Sequence, residues 1–417
     1  MRQPEIEAMD REELELLQLE RLQSTLTRAY RQVKFYRQQF DRLGLRPEAV
    51  RHCSDLSRLP ATTRQDLSEN YPYGLFAVPL RDIVRIQSSP GTTERPLVVG
   101  YTSQDVRLWL ELLARLYVAA GVTREDILQI ILPPGLANWH RDLQAGAEHL
   151  GASVIPAATL SFAKQLMVMR DYKTSVLVTT PSLARHLLTV MDRMALTPAE
   201  LSLRAALLVA ALLDPEGRDE IEAGLQIRTA TAYGITEVMG PGLAFSCGQG
   251  PGLHLSEDHF YPEIIEPLSG RPMPAGSPGE LVITTLSTVA FPLVRFRTGD
   301  LTSLSTAPCP CGRTLLRLGE ITGRADPIFS VGGIKVHPDQ IGQLLKEVMG
   351  GYLPHYQHRV MEEEGLEILE IDLSVSEVFF SDEIKGLEIL CRRARRHLQE
   401  TLGIQARIIL RELGAKD

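Results

Sequence analysis

A cluster of short hydroxyl side chains around a glycine is the first stretch of this sequence that could do chemistry. Residues 87–102 read QSSPGTTERPLVVGYT, with two serines, one glycine and two threonines within six positions. Backbone N–H groups and hydroxyls in such a loop can wrap a phosphate. Pro90 and Glu94 oppose this function, because proline lacks an N–H donor and the glutamate repels an anion. The stretch raises the hypothesis of a phosphate-binding loop.

Four further stretches combine glycine with acidic, basic or aromatic side chains. They are TAYGITEVMGPG (231–242), GLHLSEDHFYPEII (252–265), the segment from GEL to VRFRTGD (279–300) and ITGRADP (321–327). Each alone is a weak signal, since a Gly–Asp or Tyr–Gly pair usually forms only a turn. Their candidate functional residues are Tyr233, Gly234, Thr236, Glu237, Asp300, Arg324 and Asp326.

Three of the five cysteines fall near a histidine in a pattern that suits a metal. Cys309 and Cys311 form the sequence C-P-C-G, and Cys247 precedes His254 by seven residues. Three thiolates and one imidazole can close a tetrahedral structural Zn²⁺ site. The alternative is a set of unrelated reduced cysteines in a Gly/Pro-rich region. We favour zinc, because chance would seldom place three cysteines here.

The elements that must position these residues read as a large α/β domain. Apolar positions spaced by three and four predict a helix over residues 5–45, and Thr102 is a candidate helix N-cap with Asp105 three residues on. Short apolar runs then alternate with helical patterns, which is typical of a parallel sheet covered by helices. These runs are residues 127–132, 153–156, 175–180 and 206–211. The Gly/Pro-rich β runs of residues 250–305 predict a more antiparallel region.

A small α+β domain of about 90 residues is predicted after the ITGRADP stretch. Pro338 suits a helix start, and LEILEIDLSV alternates with period two through Leu369, Ile371, Leu373 and Val375. A helix is predicted over 381–403, followed by a last strand, ARIIL. The apolar face of this helix comprises Ile384, Leu387, Cys391, Ala394 and Leu398.

Length, composition and charge set outer limits on function. At 417 residues, the chain exceeds the roughly 250–300 residues at which single cores stop growing. The formal charge of −8 gives no general reason to bind nucleic acid or an anionic membrane. No apolar run approaches the roughly 18–20 residues of a bilayer span, and the acidic N-terminus is not typical of a signal peptide. We expect a cytoplasmic protein.

Together and in this order, the motifs resemble the adenylate-forming superfamily, specifically its phenylacetate–coenzyme A ligase branch. Members join a carboxylate to ATP as an acyl-adenylate, then rotate the small domain and pass the acyl group to coenzyme A. The resemblance covers nearly the whole chain. Its stretches are RLPATTRQDLSENYPYGLFAVP, VVGYT, YGITEVMGPG, LHLSEDHFYPEII, RTGDLT, CPCGR and ITGRADPIFSVGGIKVHPDQI.

The resemblance implies ATP, Mg²⁺ and coenzyme A as cofactors and a homodimer as the assembly. It implies that Glu237 holds Mg²⁺ against the phosphates, that Asp300 accepts hydrogen bonds from the ribose and that Arg324 acts in catalysis. Tyr233 would face the adenine and Thr231 its edge, and Gly234 and Thr236 belong to the same motif. The phosphate loop would be formed by Ser89, Gly91, Thr92 and Thr93, with Thr92 catalytic.

The chain departs from the family pattern at two places. In the phosphate loop, Pro90, Glu94 and Arg95 replace serine, glycine and lysine, so we expect weaker phosphate binding. In the family, the small domain ends in a loop of the type R-S-E-G-K-A, whose lysine serves adenylation. Here RELGAKD follows the last strand, and Lys416 arrives too early. Either the chain is truncated or adenylation relies on other groups, with Lys335 the nearest candidate.

The acyl pocket is the part of the site about which the sequence predicts least. The family places this pocket along residues 132–143 and near the YGITE motif. Trp139 and His140 replace small residues there. They either reshape the pocket or pack at a helix start, and the sequence favours neither reading.

The prediction is therefore an α/β enzyme with a large domain over 1–325, with mixed or parallel sheets, and a small mobile domain over 326–417. It activates a carboxylic acid, taken to be aromatic, and transfers it to coenzyme A. One alternative hands the adenylate to an amine or a carrier protein. Another is a degenerate homologue that binds nucleotide without turnover. The altered phosphate loop and the missing lysine loop favour this last alternative. The retained Glu237, Asp300 and Arg324 and the hinge-like Asp326 argue against it, since a simple binder has no need of a hinge.

Overall fold

A computed structural model of the chain describes residues 1–89, 96–156, 160–210, 215–351, 355–375 and 384–412. Gly91, Thr92 and Thr93 of the predicted phosphate loop lie outside the described residues, as do Lys416 and the predicted helix start at 381–383. Of Ser89, the structure describes the backbone alone.

The helices lie mainly in the first half of the chain and in the small domain. They are α1 (Pro4–Glu7), α2 (Arg11–Gln32), α3 (Lys34–Arg42), α4 (Arg64–Glu69), α5 (Ser103–Ala119), α6 (Ala137–Leu150), α7 (Phe162–Asp171), α8 (Pro181–Arg193), α9 (Pro215–Leu225), α10 (Pro338–Val348) and α11 (Ile384–Leu402). Among the described residues, no helix has the length and apolar character needed to cross a membrane.

The strands run from short bridges to ten-residue segments. They are β1 (Arg85–Ser89), β2 (Leu97–Tyr101), β3 (Ile127–Ile131), β4 (Ser153–Ile155), β5 (Val176–Thr179), β6 (Ala205–Leu208), β7 (Arg228–Ile235), β8 (Gly240–Phe245), β9 (Leu253–Leu255), β10 (Phe260–Ile265), β11 (Gly279–Thr285), β12 (Phe296–Thr302), β13 (Leu304–Ser305), β14 (Arg317–Leu318), β15 (Gly323–Arg324), β16 (Phe329–Val331), β17 (Ile334–Val336), β18 (Tyr356–Glu363), β19 (Leu366–Val375) and β20 (Ala406–Glu412).

The large domain is built on two mixed or antiparallel sheets. A nine-stranded sheet has the order β13-β14-β9-β8-β7-β6-β5-β3-β4. Its β4-β3-β5-β6-β7 portion is parallel, which confirms the predicted parallel sheet. The second sheet, β10-β11-β12-β15, is antiparallel, as predicted for residues 250–305. The candidate nucleotide residues lie on β7 and the turn that follows it, on β12 and on β15.

Helix α5 shows why the local sequence reading succeeded in this domain. The Thr102 side chain accepts a hydrogen bond from the Asp105 N–H, and the Asp105 carboxylate accepts one from the Thr102 N–H. This capping box satisfies backbone donors that the first turn leaves free. Trp109 and Leu113 on the predicted apolar face are almost fully buried.

The single helix predicted over residues 5–45 is wrong, because the chain forms α1, α2 and α3 there. The Glu7 carboxylate accepts hydrogen bonds from the Arg2 and Gln3 N–H groups and pairs with the distant Arg313, so the chain turns after α1. Val33 adopts extended geometry with its side chain fully buried. This break turns α3 back toward α2.

The small domain follows the prediction closely. Pro338 begins α10, and β18-β19-β20 form a three-stranded sheet in which β19 and β20 are parallel. Ala394 and Leu398 of α11 are buried as expected, whereas Cys391 is only partly buried. The side chains of Val375, Ile384 and Leu387 lie outside the described part of the chain.

Candidate active site

A cavity of about 1110 Å³ lies between the large and the small domain. Seven of the residues predicted to bind the nucleotide line it: Thr231, Tyr233, Gly234, Thr236, Glu237, Asp300 and Arg324. The small domain contributes Phe329, Ile334, Lys335 and Leu402 to the wall. The structure thus brings together motifs that are almost 100 residues apart in sequence.

Asp300 is the centre of a charged network in this cavity. It lies on β12 opposite Arg324 on β15, and its carboxylate pairs with the Arg324 guanidinium. The Tyr233 hydroxyl donates to Asp300 Oδ2 at 2.6 Å, and Lys335 Nζ lies 3.2 Å from the same oxygen. The Asp300 side chain is only 5% exposed. Its two oxygens therefore face three donors from two domains.

The charges around Asp300 keep it ionised. Burial alone would raise the pKa of Asp300, but the positive charges of Lys335 and Arg324 outweigh burial and lower it. Burial, reinforced by the Asp300 charge, raises the pKa of Tyr233 well above its usual range, so its hydroxyl stays protonated. Burial also lowers the pKa of Lys335. The network presents a fixed carboxylate that can accept hydrogen bonds.

Arg64 joins the site although the sequence analysis did not single it out. Its Nε lies 3.0 Å from Glu237 Oε1, and its Nη1 lies 3.1 Å from Asp326 Oδ2. Its Nη2 also donates to the Thr298 carbonyl at 2.9 Å. Arg64 opens α4 directly after its N-cap Thr63. The cap and the TTRQDL stretch could have marked the helix start, but not the contact with Glu237.

Glu237 sits in a tight connection between β7 and β8. The backbone turns through the 3₁₀ turn Thr236–Val238 and a left-handed Met239. A Cβ on Gly234 would lie 1.8 Å from the Gly240 carbonyl oxygen, so only glycine fits this crossing. The turn aims the Glu237 carboxylate into the cavity, beside Arg64. A carboxylate facing a phosphate-sized space is a suitable Mg²⁺ ligand.

The candidate acyl region contains Trp139 but not His140. Trp139 lines the cavity with Leu136 and Ile235. His140 Nε2 instead lies 3.2 Å from the Ile130 carbonyl, on the sheet side of α6. The sequence left open whether these two residues shape the pocket or pack at the helix start. In the structure, Trp139 forms part of the pocket wall, whereas His140 packs against the sheet.

The predicted metal ligands come together in one cluster. Ligand atoms of Cys247, His254, Cys309 and Cys311 all lie within 4.8 Å of one another. Cys247 Sγ is 3.6 Å from Cys309 Sγ, and Cys311 Sγ is 3.3 Å from His254 Nε2. Zn–S bonds of about 2.3 Å in a tetrahedron place ligand atoms about 3.8 Å apart. The residues present therefore fit zinc.

A buried arginine next to this cluster lacks an acidic partner. Arg317 is 6% exposed, and it donates to the carbonyls of Pro251 and Ala307. Within the described part of the chain, no carboxylate pairs with it, and its Nε has no hydrogen-bond partner. A Cβ on Gly250 would touch both Cys309 Sγ, at 3.1 Å, and Arg317 Nη1, at 3.3 Å. Three thiolates around Zn²⁺ carry a net negative charge that would offset this guanidinium.

The remaining charged residues of the 252–265 stretch serve the fold. Glu257 pairs with Arg11, and Asp258 forms a buried pair with Arg115. His259 Nε2 lies 2.9 Å from Asp258. The Glu257 pair holds α2, and the Asp258 pair holds α5, against the segment between β9 and β10.

Comparisons with known proteins agree with this geometry. A family model described as "AMP-binding enzyme" matches residues 34–290, and one described as "AMP-binding enzyme C-terminal domain" matches residues 333–415. The phenylacetate–coenzyme A ligase of Thermus thermophilus is 38% identical over 98% of this chain and 95% of its own.

Crystal structures of a 2-hydroxyisobutyryl-CoA ligase resemble the chain in different degrees. In complex with 2-HIB-AMP and CoA in its thioesterification state, that protein superposes with a TM-score of 0.90, at 26% identity over 99% of this chain and 90% of its own. In its post-adenylation state the TM-score is 0.72, at 25% identity over 99% and 89%. The chain therefore superposes better on the thioesterification state of that protein than on its post-adenylation state. The chain belongs to the AMP-binding enzyme family, in its phenylacetate–coenzyme A ligase branch.

Proposed function

We propose that this protein activates a carboxylic acid with ATP and transfers the acyl group to coenzyme A. In the first step, a carboxylate oxygen attacks the α-phosphorus and pyrophosphate leaves. In the second, the coenzyme A sulfur attacks the acyl carbonyl carbon, AMP leaves and the thiol proton passes to solvent. The observation that carries the proposal is the cavity that gathers Glu237, Asp300 and Arg324 between the two domains.

The nucleotide roles are proposals that rest on the network around Asp300. Ribose hydroxyls can donate to the Asp300 carboxylate, which is held ionised and aimed into the cavity. Tyr233 can cover the adenine and Thr231 can contact its edge, with Gly234 and Thr236 completing the wall. Arg324 can neutralise charge that develops on the phosphate. Lys335 would exchange its contact with Asp300 for the nucleotide.

Glu237 is the proposed Mg²⁺ ligand. It is only 11% exposed but faces the cavity, and Arg64 neutralises it in this structure. A bound Mg²⁺ would supply positive charge at the phosphates. Arg64 would then keep its contact with Asp326. The proposed phosphate loop, with Ser89, Gly91, Thr92 and the rest of 90–95, joins β1 to β2.

The proposed acid is aromatic and apolar. Trp139, Leu136, Leu97 and Ile235 give the cavity an apolar side, which suits a ring more than a charged chain. The Thermus thermophilus relative, named a phenylacetate–coenzyme A ligase, supports the same class of acid.

The test is pyrophosphate release with ATP and Mg²⁺ across a panel of aromatic and aliphatic carboxylic acids. We expect release that depends on an aromatic acid, and a thioester product once coenzyme A is added. Hydroxylamine and a carrier protein, offered in place of coenzyme A, test the amine and carrier acceptors. A chain that binds ATP but releases no pyrophosphate with any acid would instead be a degenerate nucleotide-binding homologue.

A second proposal is a structural Zn²⁺ at Cys247, His254, Cys309 and Cys311. All four positions of a tetrahedron are filled by protein, so no site is left for a catalytic water. Elemental analysis of protein purified without added metal should give about one zinc per chain. Cys309→Ser should lose the metal, whereas the matched control Cys391→Ser, outside the cluster, should keep it. A metal-free but well-folded wild-type protein would refute the site.

The domain boundary also remains a proposal, with residues 1–325 and 326–417 turning about Asp326. The Asp326 carboxylate accepts hydrogen bonds from the guanidinium groups of both Arg64 and Arg324. The proposed boundary therefore lies inside the charged network of the cavity. The cytoplasmic location and the homodimer stay predictions.

A further inference from the structure

A tight hairpin turn in the small domain lies outside the lining of the nucleotide cavity. Strands β18 and β19 are joined by two residues, Glu364 and Gly365, with φ of +54° and +80°. A two-residue hairpin loop with positive φ at both positions is a type I′ turn. Since β18 and β19 pair along their whole length up to this turn, the tip moves with the small domain.

The tip is hydrogen-bonded to helix α8 of the large domain. His186 Nδ1 donates to the Glu364 carbonyl at 2.8 Å. Ser182 Oγ donates to the Gly365 carbonyl at 3.2 Å and accepts from the Glu367 N–H at 2.8 Å. Ser182 and His186 are 5% and 9% exposed. These three bonds cross from one domain to the other in a largely buried contact.

The contact leaves no space for a side chain at Gly365. A Cβ there would lie 2.6 Å from the His186 nitrogen and 2.7 Å from the Arg185 carbonyl carbon. These are backbone atoms of a helix, which cannot move aside as a flexible side chain can. The neighbouring Leu366 packs against the apolar cluster of the large domain that includes Leu183. The turn is therefore seated on α8 by shape as well as by hydrogen bonds.

None of these contacting residues lines the cavity. The lining of the cavity from the small domain comes instead from the β16–β17 hairpin and the end of α11. The turn is also linked to that lining, because the Glu367 carboxylate accepts a hydrogen bond from the Gly332 N–H in the β16–β17 turn at 2.7 Å. Docking of the turn can therefore act on the reaction through the relative position of the two domains, which also places this hairpin. That position matches the thioesterification state of the 2-hydroxyisobutyryl-CoA ligase better than its post-adenylation state.

We propose that seating of the Glu364–Gly365 turn on α8 holds the domain arrangement that forms the thioester, and that Gly365 is a positioning residue for this second half-reaction. The inference rests on the proposed function. Any rotation of the small domain away from this arrangement takes the turn off Ser182 and His186. The contact therefore favours thioester formation and contributes nothing to adenylation in a different arrangement.

The test compares Gly365→Asn with the matched control Gly350→Asn. Both glycines belong to the small domain and have positive φ, but a Cβ on Gly350 would meet nothing within 4 Å. Asparagine tolerates positive φ better than most residues, so each variant keeps its turn and only Gly365→Asn obstructs α8. Two rates are measured: first-turnover pyrophosphate release without coenzyme A, and thioester formation from pre-formed acyl-adenylate with coenzyme A.

Gly365→Asn should release pyrophosphate at the wild-type rate and form thioester at least tenfold more slowly. Gly350→Asn should match the wild type in both rates. Ser182→Ala, which removes hydrogen bonds without changing the turn, should slow the thioester step about threefold. A wild-type thioester rate in Gly365→Asn, or an equal loss of both half-reactions, would overturn the inference.

Hydrogen exchange of the hairpin provides a readout that needs no activity. In the wild type, the Glu367 amide should be protected by Ser182, and Gly365→Asn should increase its exchange while the melting temperature stays unchanged. Unchanged protection in the variant would refute the docking even if the wild type proved inactive. Failure of wild-type pyrophosphate release with every acid would refute the proposed function alone.

Discussion

Two networks of carboxylates and basic side chains in this molecule differ in burial and in role, and we call them the anchor network and the cavity network. In the anchor network, Asp258 pairs with Arg115 and contacts Arg21 and His259. The Arg115 and Asp258 side chains are 2% and 1% exposed. All members lie in the large domain, and none of them lines the cavity between the domains. Such a network fixes one arrangement.

The cavity network pairs the carboxylates of Asp300, Glu237 and Asp326 with Arg64, Arg324 and Lys335. Its cations are 13% to 37% exposed, for Arg324 and Lys335 respectively. In the anchor network the central Arg115 is 2% exposed, and only Arg21 at its edge reaches 28%. Lys335 belongs to the small domain, and every member except Asp326 lines the cavity. A ligand or a domain rotation can therefore replace one partner by another. The contrast indicates that burial on all sides marks a structural pair, whereas a shared cavity wall marks a functional one.

The largest predicted effect is on the anchor network. Asp258→Asn leaves the buried Arg115 without its counter-charge, which should cost about 3–5 kcal/mol of unfolding free energy. Urea unfolding followed by circular dichroism measures the change. The matched control is Glu400→Gln, which breaks the exposed Arg396 pair and should leave the stability almost unchanged. A loss as small as that of the control would show that the anchor is not structural.

The stabilisation that the anchor network provides should also decrease in acid. Burial alone would raise the pKa of Asp258, but the charges of His259 and Arg115 lower it overall. A carboxylate whose pKa is lower in the folded state stabilises the protein fully above its unfolded pKa, near 4, and progressively less below it. The stability difference between wild type and Asp258→Asn should therefore shrink from about pH 4 to about pH 2. A constant difference over this range would contradict the assignment.

The second largest effect should fall on catalysis and spare stability. Asp300→Asn keeps the shape of the side chain but weakens its charge-assisted hydrogen bonds to the ribose. A loss of about 3 kcal/mol corresponds to a fall of about 100-fold in kcat/KM for ATP. Pyrophosphate release measures it, and urea unfolding should show a smaller loss than Asp258→Asn, because Arg324 keeps its pair with Asp326 and Lys335 is 37% exposed. Lost stability with unchanged kcat/KM would place Asp300 with the anchor instead.

Local patterns carried most of what the sequence could predict. Thr102 and Asp105 form their capping box with neighbours three residues away, and Pro338 begins its helix as expected. Glu237 and Asp300, which line the cavity, also belong to short motifs that stand out in the sequence. These features depend on contacts that are close in sequence or on family motifs.

Long-range contacts explain what the sequence could not give. The helical spacing of apolar residues continues through Val33, so no local feature of the sequence indicated that α2 ends at Gln32 and that Val33 is extended and buried. Glu7 turns the chain through a pair with Arg313, 306 residues away. Arg64 reaches Glu237 across 173 residues, and Lys335 meets Asp300 only once the two domains are placed. Such long-range pairs leave no regular spacing in a single sequence from which they could be predicted.

The smallest predicted effect concerns Arg64 and tests whether its geometry matters to the cavity network in addition to its charge. Arg64 donates at once to Glu237, Asp326 and the Thr298 carbonyl, a fork that a lysine cannot reproduce although it keeps the charge. Arg64→Lys should therefore lower kcat/KM for ATP about tenfold, or about 1.4 kcal/mol. The control Arg81→Lys, whose side chain is 84% exposed beside Asp82, should match the wild type. If the two variants behave alike, charge alone matters at Arg64, and the cavity network needs no fixed geometry between Glu237 and the hinge.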